Sequence, residues 1–485
     1  MFESLEPATA LGHFYEITKI PRGSGNEKAL SDRIRGFAET LGLAAEQDGL
    51  HNLIVRKPAA PGYEGEPPVI LQAHLDMVCE KLAGSAHCFE SDALDVELDG
   101  DFIKARGTTL GADNGVAVAI LMALMEGCGA HPAIEFVFTS GEETGMTGAQ
   151  GLDVSSLVSR RMVNLDADSD DGFVMGCASG TSIMFKMPMS RKPPPEGAVL
   201  FEVSVTGLAG GHSGMDIHRN RAHSIRLLGA VVAELSSSVD MAIHSIGGGL
   251  KVNAIPRESF VTAYLPRGEV YAARRIVDSF FGAARAEFGR TDPNLKVAFG
   301  TPAAAAGCAL DEQSMQRLLF ALQFFPNGVK QTSDEIPGLV ASSCNFGAIE
   351  TRKDSICISA MSRAADKRLA AEIHEKIEEL AKMTGAETVL ADRSPPWPLK
   401  MDSPLLKKAR LAYLRTYGKE PGVTAVHAGL ECGIFADRLP GLDIVSFGPV
   451  IKDLHTPDER VSVSSINRVW RFAVELLGMK EADQN

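Results

Sequence analysis

Four short apolar runs in this chain each pass straight into titratable side chains, and no other feature of the sequence restricts its possible folds so strongly. Val69 to Leu71 leads through Gln72 and Ala73 into His74 and Asp76. Ile134 to Phe138 leads into Glu142 and Glu143, Met162 to Leu165 into Asp166, and Asp443 to Phe447 toward Asp453 and His455. Runs of this length with no polar face read as strands buried on both sides, the texture of a parallel sheet covered by helices. Asn52 to Val55 reads as another such strand, and Val116 to Met125, apolar all round, as a buried helix between two of them. Open sheets of this kind bind ligands beyond the carboxyl ends of their strands, so the four exits would deliver carboxylates and imidazoles into one crevice. Asp113, within Gly111 to Gly115 just before the apolar helix, is a fifth contributor.

Around this frame the chain changes texture twice. Ser24 and Glu27 have capping-box spacing, and Leu30, Ile34, Phe37 and Leu41 recur at helical intervals, which predicts a helix near 26–42. Beyond about residue 180, period-two segments at 200–205 and 260–265 alternate with helical patterns at 223–235 and 271–288. A second round follows, with helices over 312–324 and 366–383 and strands over 339–346 and 355–361. Ser394-Pro-Pro-Trp-Pro398 closes it, and a helix over 404–417 and the strand at 443–447 return to the first style. At roughly 150 residues per domain, 485 residues leave room for about three domains. The pattern reads as an α/β domain, residues 1–180 plus 394–485, with a mostly parallel central sheet flanked by helices. It is interrupted by an inserted α+β domain, residues 181–393, that looks like a loose internal duplication.

Charge and cysteines narrow the setting. Lys and Arg number 48 against 62 Asp and Glu, a net charge of −14, which disfavours nucleic acid and anionic membrane surfaces as partners. The start has no basic segment leading into an apolar one, and the longest apolar run, Gly115 to Met125, is too short for a membrane span. Eight cysteines without CxxC spacing, in a chain this large, read as reduced and mostly buried thiols of a cytoplasmic protein.

Taken singly, His74 or His455 is more often a hydrogen-bonded structural residue than a ligand, and strand-end carboxylates often cap helices. Together, two imidazoles and several carboxylates in one crevice repel one another unless divalent cations lie among them. Mixed histidine and carboxylate ligation without thiolate suits zinc, cobalt or manganese. Two such cations need a shared ligand, which a carboxylate can supply and an imidazole cannot.

His74-Leu-Asp76, Gly111-Ala-Asp113, Gly141-Glu142-Glu143, Asn164-Leu-Asp166, Gly211-His212-Ser-Gly214 and Leu454-His455-Thr-Pro together resemble the motif set of the co-catalytic zinc exopeptidases, which include aminoacylase and carboxypeptidase G. The stretches Gln72 to Lys81 and Thr108 to Gly115, with the long insert, are most similar to that family's bacterial aminoacyl-histidine dipeptidase branch. The resemblance implies two zinc ions per chain, with cobalt or manganese as substitutes. Asp113 would bridge them, with His74 and Asp166 completing one site and Glu143 and His455 the other. Asp76 would orient His74, and Glu142 would be the general base toward water that the metals activate.

The same resemblance implies a cis peptide after Asp113. It gives His212 of the insert a hydrogen bond to the developing oxyanion, Arg363 the peptide's free carboxylate, Asn253 a polar substrate contact, and Gly429 backbone at the cleft wall. His427 and Glu431 share that last motif and receive no role. Closure of the insert about crossings near Gly180 and Arg393 would assemble these groups. The implied activity is hydrolysis of unblocked dipeptides, Xaa-His included. The alternatives are an N-acyl amino acid deacylase or carboxypeptidase on the same scaffold, and a non-catalytic metal- or peptide-binding protein. Shorter members of the family pair through the inserted domain, which implies a homodimer, although an enlarged insert can cover that surface within one chain.

Overall fold

A computed structural model describes residues 5–302 and 307–484. The chain divides into two compact units. One comprises Met1–Cys177, Trp397–Ala425 and Leu430–Asn485, the other Ala178–Pro396 and Val426–Gly429. The crossings thus fall within three residues of those read from the sequence, at 177/178 and 396/397. The assignment of everything after 394 to the first unit is corrected: Val426–Gly429 group with the second, anchored where the Ala178 N–H donates to the carbonyls of Val426 and Ala428, each at 3.1 Å.

The first unit is built on an eight-stranded sheet in the order Ala44–Gln47, Leu53–Lys57, Ile134–Thr139, Val69–His74, Arg161–Asn164, Asp443–Ser446, Gly172–Cys177, Gly422–Val426. The four strands in the middle are mutually parallel, in register with His74 opposite Thr139 and with Gln72 and Ser446 both opposite Asn164. Leu53–Lys57 and Gly172–Cys177 run antiparallel to their neighbours, so the sheet is mixed where a mostly parallel one was expected. An apolar run signals burial on both faces and says nothing of direction, which explains the misreading of Asn52 to Val55. The four parallel strands are those that end in the titratable residues, and they all end on the same side.

The helix Ala112–Glu126 is buried on every face except at its tip and packs in the core with Phe14, Leu71, Phe138, Phe447 and Phe472. Asp113–Asn114 is a cis peptide, as the resemblance implies. The helix over 28–40 forms, but without the capping box. Ser24 Oγ instead donates to Asp76 Oδ2 at 2.7 Å, while Glu27 Oε1 accepts the N–H groups of Gly25 (2.9 Å) and Gly141 (3.0 Å).

The second unit carries an antiparallel sheet in the order Lys296–Gly300, Ala198–Thr206, Ser259–Pro266, Ala242–Gly248, Val340–Thr351, Ser355–Ala364, Ser179–Pro188, Glu387–Ser394, with Gly328–Thr332 beside Val340–Thr351. The ladder between Ala242–Gly248 and Val340–Thr351 is short, with Gly247 paired to Glu350 and Gly248 to Ile349. Amphipathic helices cover the sheet. Lys367–Thr384 buries Ile373, Ile377 and Leu380, close to one residue per turn, into a separate core around Phe185, Leu228, Phe325 and Phe346. All eight cysteines are free, five of them buried, and no helix among the described residues is long and apolar enough to cross a membrane.

Candidate metal centre

At the carboxyl end of the Val69–His74 strand the imidazole of His74 is almost fully enclosed by carboxylates. Its Nε2 lies 3.0 Å from Asp113 Oδ1 and 3.3 Å from Asp166 Oδ1, and its Nδ1 lies 3.3 Å from Asp76 Oδ1. The other oxygen of Asp113, Oδ2, lies 3.4 Å from Nε2 of His455, which also stands 3.1 Å from Glu143 Oε1. Asp113 therefore turns one oxygen to each histidine. Candidate ligand atoms lie within 4.8 Å of one another in three groups: His74, Asp113 and Asp166; Asp113, Glu143 and His455; and His74, Glu142 and Glu143. All six residues come from the first unit, so the five sequence-predicted ligands and the predicted base meet in one place.

Electrostatics show what this cluster can hold. Burial alone would lower His74, but the surrounding Asp166, Asp113 and Asp76 hold it well above the usual imidazole range. Contacts with Asp113 and Glu143 lift His455 to about 10. Burial raises Asp166 to about 6, and it pushes Glu142 well above the usual carboxylate range. Asp113 goes the other way, since the two imidazoles overcome its burial and hold it below that range. The crevice thus draws protons onto its imidazoles and one carboxyl to offset its anions. Divalent cations would meet the same demand while displacing those protons. The donors fit such ions: nitrogen and carboxylate oxygen only, one carboxylate shared, and Glu143 Oε1 buried with no hydrogen-bond partner.

The cluster is held by Asp76, expected beside His74, and by Arg22 and Glu459, which sequence reasoning missed. Asp76, fully buried, accepts the backbone N–H groups of Glu142 (3.0 Å) and Glu143 (3.1 Å), which fixes that loop beside His74. Burial opposes its ionisation, but the contact with His74 and these hydrogen bonds bring it to about 2. Arg22, also buried, donates to the carbonyls of Leu75 and Asp76, both at 2.9 Å, and to that of Gly111, tying the His74 loop to the Asp113 loop. Glu459, four residues after His455, accepts the N–H groups of Leu110 (2.9 Å), Gly111 (3.1 Å), Ala112 (2.8 Å) and Asp113 (3.3 Å). One carboxylate thus satisfies the orphan donors of the buried helix and secures both metal-facing loops. Asp453 and His455 are held in the left-handed backbone region, an energetically raised conformation found at functional loops.

One layer below, a polar chain crosses the sheet. Ser446 Oγ donates to Asn164 Oδ1 (2.5 Å), Asn164 Nδ2 to Gln72 Oε1 (2.5 Å), and Gln72 Nε2 to Glu431 Oε2 (2.6 Å), which also accepts from Thr139 Oγ1 (2.7 Å). Glu431 is fully buried, and burial pushes it up to about 7.

The remaining predicted residues lie in the second unit. His212 Nδ1 accepts the N–H groups of Gly214 (3.3 Å) and Met215 (3.1 Å), so the neutral ring carries its proton on Nε2. That Nε2–H stands 3.4 Å from Arg363 Nη2, donor against donor. Arg363 is buried with no carboxylate in ion-pair reach among the described residues, and burial lowers it to about 10. Two donors facing each other without an acceptor form a seat for an anionic oxygen. Asn253 is exposed, its carbonyl accepting from the Ser213 N–H at 2.9 Å. Gly429, expected at a cleft wall on the first unit's side, groups with the second.

Histidines and carboxylates clustered about one shared aspartate, at the carboxyl ends of parallel strands in an open sheet, make this a metal-dependent hydrolase. The chain belongs to peptidase family M20/M25/M40, whose pattern matches residues 70–478. Over 474 residues, 98% of each chain, it is 34% identical to the cytosol non-specific dipeptidase of Escherichia coli strain K12. The crystal structure of an aminoacylhistidine dipeptidase from Vibrio alginolyticus superposes with a TM-score of 0.91 at 33% identity, covering 98% of this chain and 97% of that one. The aminopeptidase PepT of Bacillus cereus, at 15% identity and a TM-score of 0.57 over 98% of each chain, shares the fold.

Proposed function

We propose that this chain is a dinuclear metallodipeptidase that hydrolyses the peptide bond of unblocked dipeptides, Xaa-His among them, in the cytoplasm. The observation that carries the reading is Asp113, whose two oxygens face His74 and His455 separately, as a bridging carboxylate must. His74 and Asp166 would complete one site, and Glu143 and His455 the other. Zinc suits these donors, with cobalt or manganese as substitutes, and when bound the pair would polarise the scissile carbonyl and acidify water.

Glu142 is left free to act as the base, taking a proton from the attacking water and handing it to the leaving amine. Its burial beside Asp166, Glu431 and Glu143 favours proton uptake, which suits an acceptor that must hold the proton between the two transfers. Asp76 fixes the His74 ring and the Glu142 loop together, so base and ligand keep one geometry. In the second unit, His212 would donate from Nε2 to the carbonyl oxygen as it becomes an oxyanion. Arg363 would receive the substrate's free carboxylate, with Asn253 and Gly429 as neighbouring polar contacts. The names of the Escherichia coli and Vibrio alginolyticus relatives support dipeptides as the substrate class, and the former supports the cytosol. A homodimer follows from the family's shorter members, and light scattering would read it.

Glu142→Ala should abolish dipeptide turnover while leaving metal stoichiometry unchanged, and retained turnover would remove Glu142 as the base. In parallel, the wild-type enzyme should cleave a dipeptide and spare its N-acetylated form and a tripeptide. Activity on the acetylated form alone would make the chain a deacylase.

A further inference from the structure

His427 is unused by the mechanism above, yet it is buried against Arg363 and His212, the groups proposed to hold substrate. It is 6% exposed. Its Nε2 pairs with Ser343 Oγ at 2.7 Å, and Ser343 stands opposite Arg363 across the two central strands of the second unit. Its Nδ1 is buried with no hydrogen-bond partner. We infer that His427 is a further substrate-binding residue, donating from Nδ1 to the terminal carboxylate that Arg363 receives. The inference rests on the dipeptidase reading and extends it to one more contact.

Three observations converge on it. The first fixes the tautomer. The Ser343 hydroxyl has no other acceptor among the described residues, so it donates to Nε2, and a neutral ring then carries its own proton on Nδ1. The second is that the ring is neutral: burial and the adjacent Arg363 guanidinium bring His427 down to about 3. The buried Nδ1–H has no hydrogen-bond partner among the described residues, and leaving such a donor unpaired costs stability that a ligand's acceptor would recover.

The third observation is close approach. A Cβ on Gly214 would lie 2.3 Å from the His427 carbonyl oxygen, 3.1 Å from His212 Cε1 and 3.2 Å from Arg363 Nε, so the bare glycine is what lets these three residues pack together. No carboxylate among the described residues lies within ion-pair reach of Arg363, and with the His212 N–H beside it the buried guanidinium suits a carboxylate of the substrate.

The test uses the metal-loaded, full-length enzyme and two probes, a phosphinic Ala-Ala analogue with a free terminal carboxylate and its terminal amide, with Kd measured by calorimetry. The wild type should bind the acid more tightly than the amide. His427→Ala should weaken the acid about tenfold, a loss on the scale of one hydrogen bond to a charged group, and leave the amide unchanged. His427→Asn, whose amide can present a donor near the Nδ1 position, should recover most of that loss. For Ala-Ala hydrolysis the alanine variant should raise KM with kcat within about twofold, the pattern of a contact made equally in ground and transition states. Equal weakening of acid and amide, or no weakening, would overturn the inference while leaving the dipeptidase reading intact. A wild type that does not distinguish acid from amide would sink both. Should His427→Ala fail to fold, Ser343→Ala carries the test: a loss confined to the acid supports the inference, and an equal loss or none overturns it.

Discussion

At the scale of the residue, burial decides which titratable groups work and which only cost stability. His223 shows the second case. Its Nδ1 accepts the Arg226 N–H at 3.4 Å at the head of the helix Ser224–Ser238, its Nε2 is buried without a partner, and burial with Arg226 nearby lowers it to about 3. In the unfolded chain the imidazole titrates near 6.5. Below that pH the unfolded state binds a proton that the folded state refuses until about pH 3, so stability is complete above about pH 6.5 and falls as the medium is acidified. The slope is roughly 1.4 kcal/mol per pH unit, or about 2 kcal/mol between pH 6.5 and 5. His223→Asn keeps an acceptor at the helix N-terminus without the titration. Urea unfolding at the two pH values should show the wild type losing about 2 kcal/mol more than this variant, and equal losses would rule the buried imidazole out as the cause. His74, Asp113, Glu142, Glu143, Asp166 and His455 were legible because each ends, follows or, for Asp113, immediately precedes an apolar run, a local pattern. Arg22, Glu459 and the chain from Ser446 to Glu431 were not. Their partners lie up to 359 residues away, and nothing near Arg22 in sequence says that it will meet the carbonyls of Leu75, Asp76 and Gly111.

At the scale of the element, periodicity predicted helices well, whereas strand direction came out as expected only for the four strands that end in titratable residues. The helices Glu312–Phe324 and Pro404–Tyr417 lie where their spacing puts them, because a 3.6-residue repeat records which face is buried. Direction depends on connections, and so Leu53–Lys57 proved antiparallel. Ser24 and Glu27 had the right spacing for a capping box but serve Asp76 and the Gly141 turn instead, tertiary partners outcompeting a local motif. The helix Ala112–Glu126 owes its start to Glu459, whose two oxygens accept four backbone N–H groups. In Glu459→Gln an amide donor must face two of those donors. The variant should lose on the order of 2–4 kcal/mol of stability by leaving buried donors unpaired. Because the same loop bears Asp113, it should also bind divalent metal more weakly, by about tenfold or more, as loss of a residue supporting a ligand does. Equilibrium dialysis and thermal melts would show it, and unchanged values in both would mean that the loop holds its shape unaided.

At the scale of the whole molecule, two cores share one chain, and all the proposed metal ligands belong to the first. Both tryptophans, Trp397 and Trp470, belong to that unit as well, so tryptophan emission follows the unfolding of the metal-bearing part. A ligand that binds only the folded state adds RT ln(1 + [L]/Kd), about 4 kcal/mol when free metal exceeds Kd a thousandfold. That stabilisation should be large here, because the cations replace protons that the crevice otherwise draws onto His74 and His455. Adding zinc, cobalt or manganese to chelated protein should raise the thermal midpoint read by tryptophan emission, and renewed chelation should return it. His74→Ala should remove most of the response, and Asp113→Asn more than Asp166→Asn, since Asp113 alone faces both histidines. Equal effects of the two aspartate variants would mean that Asp113 serves one cation and not two, and the dinuclear reading would fall with it.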